Sequence, residues 1–198
     1  TQMFKTLLAA ALLAIGTIPL AAGAAEPSVG EIVSFTADDG TELSGIWRGM
    51  SNRVVILSHQ AGLTQEGWNP LVAGLEAAGY TTLTYNFRGH APSGGTLNTD
   101  ILDSDLRGAI RFARERGADH LALVGASMGG IATVKAAAEA EPDAYVVLAA
   151  PRAFGALRAS DENLQVAAPK LFITAERDRF VSASKHMAEV AAGPKRLS

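Results

Sequence analysis

The run Gly125-Ala126-Ser127-Met128-Gly129 sets a serine between two glycines, each two positions away, where an apolar strand pattern gives way to a helical one. A serine held in a strained strand-to-helix turn needs neighbours without β-carbons, which Gly125 and Gly129 supply. Such a turn lifts the Ser127 hydroxyl above the sheet, and the following helix N-terminus favours negative charge developing beside it. These are the requirements of a nucleophile. Four histidines could take its proton: His59, His90, His120 and His186. His120 opens the strand that ends at the serine, so at about 3.3 Å per residue it lies roughly 20 Å away, at the opposite sheet edge. His186 falls inside a helical pattern, on the flank of the sheet. His59 and His90 follow other strands at the same edge as Ser127. No His/Asp/Glu group has metal-ligand spacing and no Gly-x-Gly-x-x-Gly follows the first parallel strand, so neither a metal nor another cofactor is implied.

The elements that must position Ser127 follow from alternating apolar runs and helical patterns, which indicate an α/β fold with a mostly parallel sheet and helices on both faces. Ile32 to Ala37 and Leu43 to Trp47 flank the turn signal Asp38-Asp39-Gly40, predicting an antiparallel hairpin at one edge. Val54 to Ser58, Tyr80 to Tyr85, Leu121 to Val124, Ala144 to Leu148 and Leu171 to Thr174 predict the remaining strands. Helices are predicted over Trp68 to Ala78, Asp100 to Arg116, the stretch from the serine motif to Glu141-Pro142, and Ser182 to Ala192. Asp105 is the one polar residue on the inner face of the second of these. Lys195 to Ser198 reads as the first half of a last strand, so that strand and its closing helix are expected to be incomplete. Their completion would take roughly 20 to 40 further residues.

Three segments resemble the α/β-hydrolase family, in its small, lid-poor branch that includes dienelactone-hydrolase-like esterases. They are the serine motif, Ser58-His59-Gln60-Ala61-Gly62 after the third strand, and Arg88-Gly89-His90 after the fourth. The resemblance covers about residues 32–198. Gln60 and Ala91 stand where the family usually has glycine. The resemblance implies a serine hydrolase acting on carboxylic esters, or related thioesters and lactones, with Ser127 as nucleophile. It makes the Met128 N–H one oxyanion donor and that of Ala61 the second, with Gln60 as the neighbour that could take its place. It makes Asp178 the acid that orients a histidine, with Glu176 as fallback. It also implies that His59 and His90 hold loops together, and that the catalytic histidine should follow Asp178 beyond the last strand. No histidine of the chain is so placed, and the 198 residues alone are expected to be nearly inactive. The opposing expectation is a non-catalytic binding module or degenerate relative. Arg152 is a candidate for binding a substrate carboxylate, and Trp68 and Phe154 for lining the pocket. Between Pro151 and Pro169 only 17 residues are available for a lid, which predicts an open site for small ester-like molecules.

The N-terminus differs in kind. Lys5, the twelve-residue run Leu7 to Ile18, itself too short to span a bilayer, and the small-x-small pattern Ala22-Gly23-Ala24 predict a signal peptide over residues 1–24. The domain then occupies residues 25–198 of a periplasmic or secreted protein. Net charge of −3, without a basic cluster, argues against a nucleic-acid partner. Apolar residues at 48% and charged residues at 19% set the chain among globular proteins rather than disordered ones.

Overall fold

Alternate residues of the central strands point to opposite sides, and each side finds a helical layer. The computed structural model describes residues 26–198, so the expected signal peptide lies outside the described residues. Strands β1 (Glu31–Thr36), β2 (Glu42–Arg48), β3 (Arg53–Ser58), β4 (Thr81–Tyr85), β5 (His120–Ala126), β6 (Ala144–Leu148), β9 (Lys170–Ile173) and β10 (Lys195–Leu197) form one sheet. Its order is β1-β2-β4-β3-β5-β6-β9-β10. β1 pairs antiparallel with β2, and β2 with β4; every other pairing is parallel. The expected hairpin is therefore the antiparallel edge of a sheet whose buried middle is parallel, as near-continuous apolar runs require.

The first layer holds α2 (Leu102–Glu115), α3 (Met128–Ala140) and α4 (Val181–Val190), through residues such as Leu106, Ile110, Ile131, Val134 and Met187. They pack on Val54, Ile56, Leu123, Tyr145, Val147 and Phe172. The second layer is α1 (Asn69–Ala77), whose Val72 and Leu75 join Trp68 against Val55, Leu57, Ala122, Val124 and Val146. Val54 and Ile56 thus serve one core while Val55 and Leu57 serve the other, the period of two expected of a buried strand.

Local signals fix the ends. α1 opens with Pro70 in its first turn, and its last turn closes as the Tyr80 N–H donates to Leu75 O. The chain then turns through Gly79 at φ +79°, a conformation that costs glycine nothing. The second predicted helix begins two residues late, because Thr99–Ile101 form a 3-10 turn before Leu102. Between β6 and β9 lies the stretch in which the sequence left only 17 residues for a lid. It contains a small hairpin, β7 (Ala153–Phe154) with β8 (Leu157–Arg158), and a further 3-10 turn. Leu157, Ala159 and Leu164 are buried in the α3 layer, so this segment is fastened to the flank of the fold.

Candidate active site

The turn between β5 and α3 carries the serine. Ser127 has φ 49° and ψ −114°, a left-handed backbone that a residue with a β-carbon adopts only under constraint. Three contacts impose it. The Ser127 N–H donates to Leu148 O at 2.9 Å, which docks the turn on the neighbouring strand. Its carbonyl accepts the N–H groups of Gly130 and Ile131 at 3.0 and 3.2 Å, which starts the helix. The two motif glycines let the backbones approach. A β-carbon on Gly125 would stand 2.5 Å from the Gly129 carbonyl carbon, and one on Gly129 only 2.7 Å from His59 O, closer still to Ser58 O. The second glycine therefore sets the start of α3 directly against the end of β3, where Ser58 lies opposite Gly125 in register.

Serine at the first position before a helix normally spends its hydroxyl capping a backbone N–H. Ser127 does not cap, and among the described residues its Oγ makes no hydrogen bond. Its side chain is half-buried rather than sealed. The Met128 N–H, first in α3, also donates to no acceptor among the described residues, and neither do those of Gln60 and Ala61. The Met128 side chain is fully buried, and Ala61 packs against the same core from the β3 loop. Unspent donors from two segments held together through Gly129 are the arrangement an oxyanion needs.

The β3 and β4 loops are locked to each other. His59 is buried; its Nε2 accepts the Phe87 N–H at 3.1 Å, so the ring proton sits on Nδ1 and is donated to Gln60 O at 2.9 Å. Burial pushes its pKa down to about 4, which keeps it neutral. Both nitrogens are used, so His59 holds the loop, as the family resemblance implied. The His90 ring lies edge-on to that of His59 at 4.9 Å, with Nδ1 3.3 Å from Arg88 O. Arg88 is buried and reaches two carboxylates. Its Nε donates to Asp105 at 2.7 Å, its backbone N–H to the same carboxylate at 2.9 Å, and its Nη1 to Asp39 at 2.7 Å. This explains the polar residue on the inner face of α2. Burial raises the Asp105 pKa, against the hydrogen bonds from Arg88 that lower it, while those hydrogen bonds hold the more exposed Asp39 well below the usual carboxylate range.

Asp178 follows β9 at the same sheet edge and is half-buried. Its Oδ1 accepts the Phe180 N–H at 2.6 Å, a contact that organises the start of α4. Glu176, the fallback acid, is exposed. The other two histidines are engaged elsewhere. His120 is exposed at the far edge, with Nδ1 3.5 Å from Asp143, and His186 Nε2 lies 3.1 Å from Asp161 Oδ1. Among the described residues no histidine hydrogen-bonds Ser127.

Beside the serine turn lies a cavity of about 310 Å3. Ala126, Leu148 and Ala149 form its sheet side, and Leu63, Gly67 and Trp68 the opposite side. Trp68, a candidate for lining the substrate pocket, lines this cavity. Phe154 packs into the α3 core instead, and Arg152 gives its Nη2 to Asp161 at 2.6 Å; neither lines this cavity. Ala149 was not foreseen. It adopts φ 42°, with its N–H on Ile173 O at 2.8 Å, and no residue type in Ala149-Ala150-Pro151 signals a left-handed position. The Arg88 brace did leave a signal, since a lone aspartate on an apolar helix face requires a buried cation. No group of three or more His, Asp or Glu residues among those described could hold a metal ion, and no described helix is long and apolar enough to cross a membrane.

Known proteins agree with this architecture. The chain is similar to the uncharacterized protein YfhR of Escherichia coli K12, at 33% identity over an alignment of 116 positions that covers 53% of this chain and 40% of that protein. The homologue of Salmonella typhi is 32% identical over 115 residues. The chain thus spans about two fifths of the length of these curated relatives. Among solved structures, the esterase Pf2001 of Pyrococcus furiosus superposes with a TM-score of 0.74 at 19% identity, over 85% of this chain and 82% of that one. XC6422 of Xanthomonas campestris, described as an a/b serine hydrolase without lid, superposes with a TM-score of 0.67 at 23% identity, over 87% and 84% of the two chains. The alpha/beta hydrolase family model matches residues 54–196. That span runs from β3 to β10 and takes in the whole edge on which Ser127 stands, so the chain belongs to the alpha/beta hydrolase family.

Proposed function

We propose that this protein is an exported serine hydrolase that cleaves carboxylic esters, or the related thioesters and lactones, through an acyl-enzyme on Ser127. The observation that carries the reading is the uncapped, strained serine: position 127 bears a backbone cost, and its hydroxyl is kept out of the hydrogen bond such a serine ordinarily makes. In the first step Ser127 Oγ bonds to the acyl carbon and gives up its proton; the alkoxide leaving group departs with a proton as the alcohol. Water then attacks the acyl-serine, releasing the carboxylic acid and restoring the hydroxyl. The Met128 N–H and that of Ala61, or of its neighbour Gln60, take the charge on the carbonyl oxygen in both steps.

Asp178 is the acid of this reading, placed at the same edge to orient a protonated imidazole. His59, His90, His120 and His186 each serve another contact, and this reading assigns the proton acceptor to none of the four. The same observation favours a second reading, a binding module that keeps the fold without turnover. Export to the periplasm or beyond is part of the proposal and rests on residues 1–24.

A fluorophosphonate probe and short p-nitrophenyl esters separate the two readings in the complete protein. The serine hydrolase labels at Ser127 and turns over the esters, and Ser127→Ala abolishes labelling and lowers kcat by on the order of 10⁴ or more. Wild-type turnover by Ser127→Ala sinks the nucleophile assignment; an unlabelled, inactive wild type establishes the binding module.

A further inference from the structure

The cavity beside Ser127 carries no formal charge. We propose that it is the acyl pocket of the enzyme, and that it selects short, uncharged, apolar acyl groups against those bearing a carboxylate. The inference rests on the reading of Ser127 as nucleophile and adds the substrate class.

Continuity with the serine turn identifies the occupant. Ala126 precedes Ser127 in the chain, and Leu148, whose carbonyl receives the Ser127 N–H, lines the cavity with Ala149 after it. His59 and Gln60, from the loop that supplies the second candidate oxyanion donor, border the same space. An acyl group whose carbonyl oxygen lay between Met128 and that loop, with its carbon on Ser127 Oγ, would have this cavity beside it to receive the chain.

The lining decides what that chain is. Leu63, Trp68, Ala126, Leu148 and Ala149 offer hydrocarbon. The polar members are Gln60, Thr64 and a His59 that burial keeps neutral. Among the described residues no Lys, Arg, Asp or Glu lines the space. The Thr64 hydroxyl instead binds the exposed Glu66 carboxylate, which puts a negative charge at the rim. A substrate carboxylate entering here would lose its water, find no cation and face an anion. Arg152, the candidate for binding a substrate carboxylate, is already paired with Asp161 outside the lining. At about 310 Å3 the space is at the small end of the ~300–1,000 Å3 range of ligand pockets, which fits butyryl-sized groups better than long fatty chains.

Gly67 provides the test. A β-carbon there would meet only Leu63 Cδ1 at 3.5 Å, an ordinary contact, so bulk can be added at this lining position without disturbing backbone. In the complete protein, kcat/KM for p-nitrophenyl butyrate should exceed that for the monosuccinate ester by on the order of 100-fold. Gly67→Leu should lower the butyrate-to-acetate ratio of kcat/KM by about tenfold or more, and Gly67→Ala should shift it part of the way in the same direction. Equal use of butyrate and monosuccinate, or a ratio untouched by both variants in an active enzyme, overturns the pocket. Fluorescence of Trp68 on titration with methyl butyrate, read in Ser127→Ala, reports occupancy without turnover. A response that Gly67→Leu removes upholds the pocket even if wild type hydrolyses nothing, in which case the serine-hydrolase reading alone has failed; no response overturns the pocket.

Discussion

Two loops leave the same edge of the sheet and are held in opposite ways. After β4, the segment from Asn86 to Thr99 is tied down by buried polar groups. Arg88 bridges Asp105 and Asp39, Asn86 receives the Gln65 N–H at 2.8 Å and donates to Ala91 O at 2.7 Å, and the Ser93 hydroxyl donates to Asn86 O at 2.6 Å. His59 crosses to it from β3. After β9, residues 175–177 are exposed, and Asp178 is organised mainly by its contact with the Phe180 N–H. The braced half is tied through His59 to the loop of Gln60 and Ala61, whose N–H groups the proposed reaction uses as oxyanion donors and where small displacements would be expensive. The looser half carries two carboxylates, Glu176 exposed and Asp178 half-buried. Substitutions should therefore separate: stability is lost in the first half and turnover in the second.

The strongest break of that comparison is Asp105→Ala. It strands the buried Arg88 guanidinium and the backbone N–H that share the carboxylate, and should cost about 3–5 kcal/mol in chemical denaturation. A loss under about 1 kcal/mol would show that the brace is not what holds the β4 loop. Asp178→Ala sharpens the other side. Losing its contact with Phe180 should cost only about 0.5–1 kcal/mol, while turnover by the complete protein falls on the order of 10³-fold or more. If this variant unfolds, or keeps its turnover, the contrast between halves fails. The smallest effect is expected at Arg152, whose pair with Asp161 is about half exposed. Arg152→Ala should change stability by no more than about 0.5 kcal/mol and leave the preference for butyrate over monosuccinate as it was. A relaxed preference would return Arg152 to the substrate site.

Legibility in the sequence followed the periodicity of what had to be buried. The parallel strands announce themselves as apolar runs, and the turn at Ser127 as a pair of glycines whose missing β-carbons are a local necessity. Helix starts were less exact, because Thr99–Ile101 tighten into a 3-10 turn that composition does not distinguish from the α-helix after it. The cavity was legible only through Trp68. Its other side depends on how the loop from Gln60 to Gly67 folds back over β5 and β6, and nothing periodic marks those residues. Lys170 shows the same limit. It reads as a strand-flanking lysine, yet it is fully buried, with Nζ at 2.6 Å from Val166 O and 2.5 Å from Ala192 O. A side chain satisfied by backbone carbonyls leaves no partner residue to find in a sequence.

The hydrogen bond from the Ser127 N–H to Leu148 O has a consequence for how such an enzyme could diversify. One wall of the cavity is the strand end whose carbonyl holds the Ser127 N–H, so a substitution at Leu148 or Ala149 that reshapes the cavity also moves the Ser127 hydroxyl. The opposite wall, at Leu63 and Gly67, belongs to the loop and 3-10 turn before α1 and makes no backbone hydrogen bond to the serine turn among the described residues. Natural variation or laboratory selection has free ground on that side alone: new acyl preferences should arise there first, while the strand wall stays fixed because each change in it would alter rate and selectivity together.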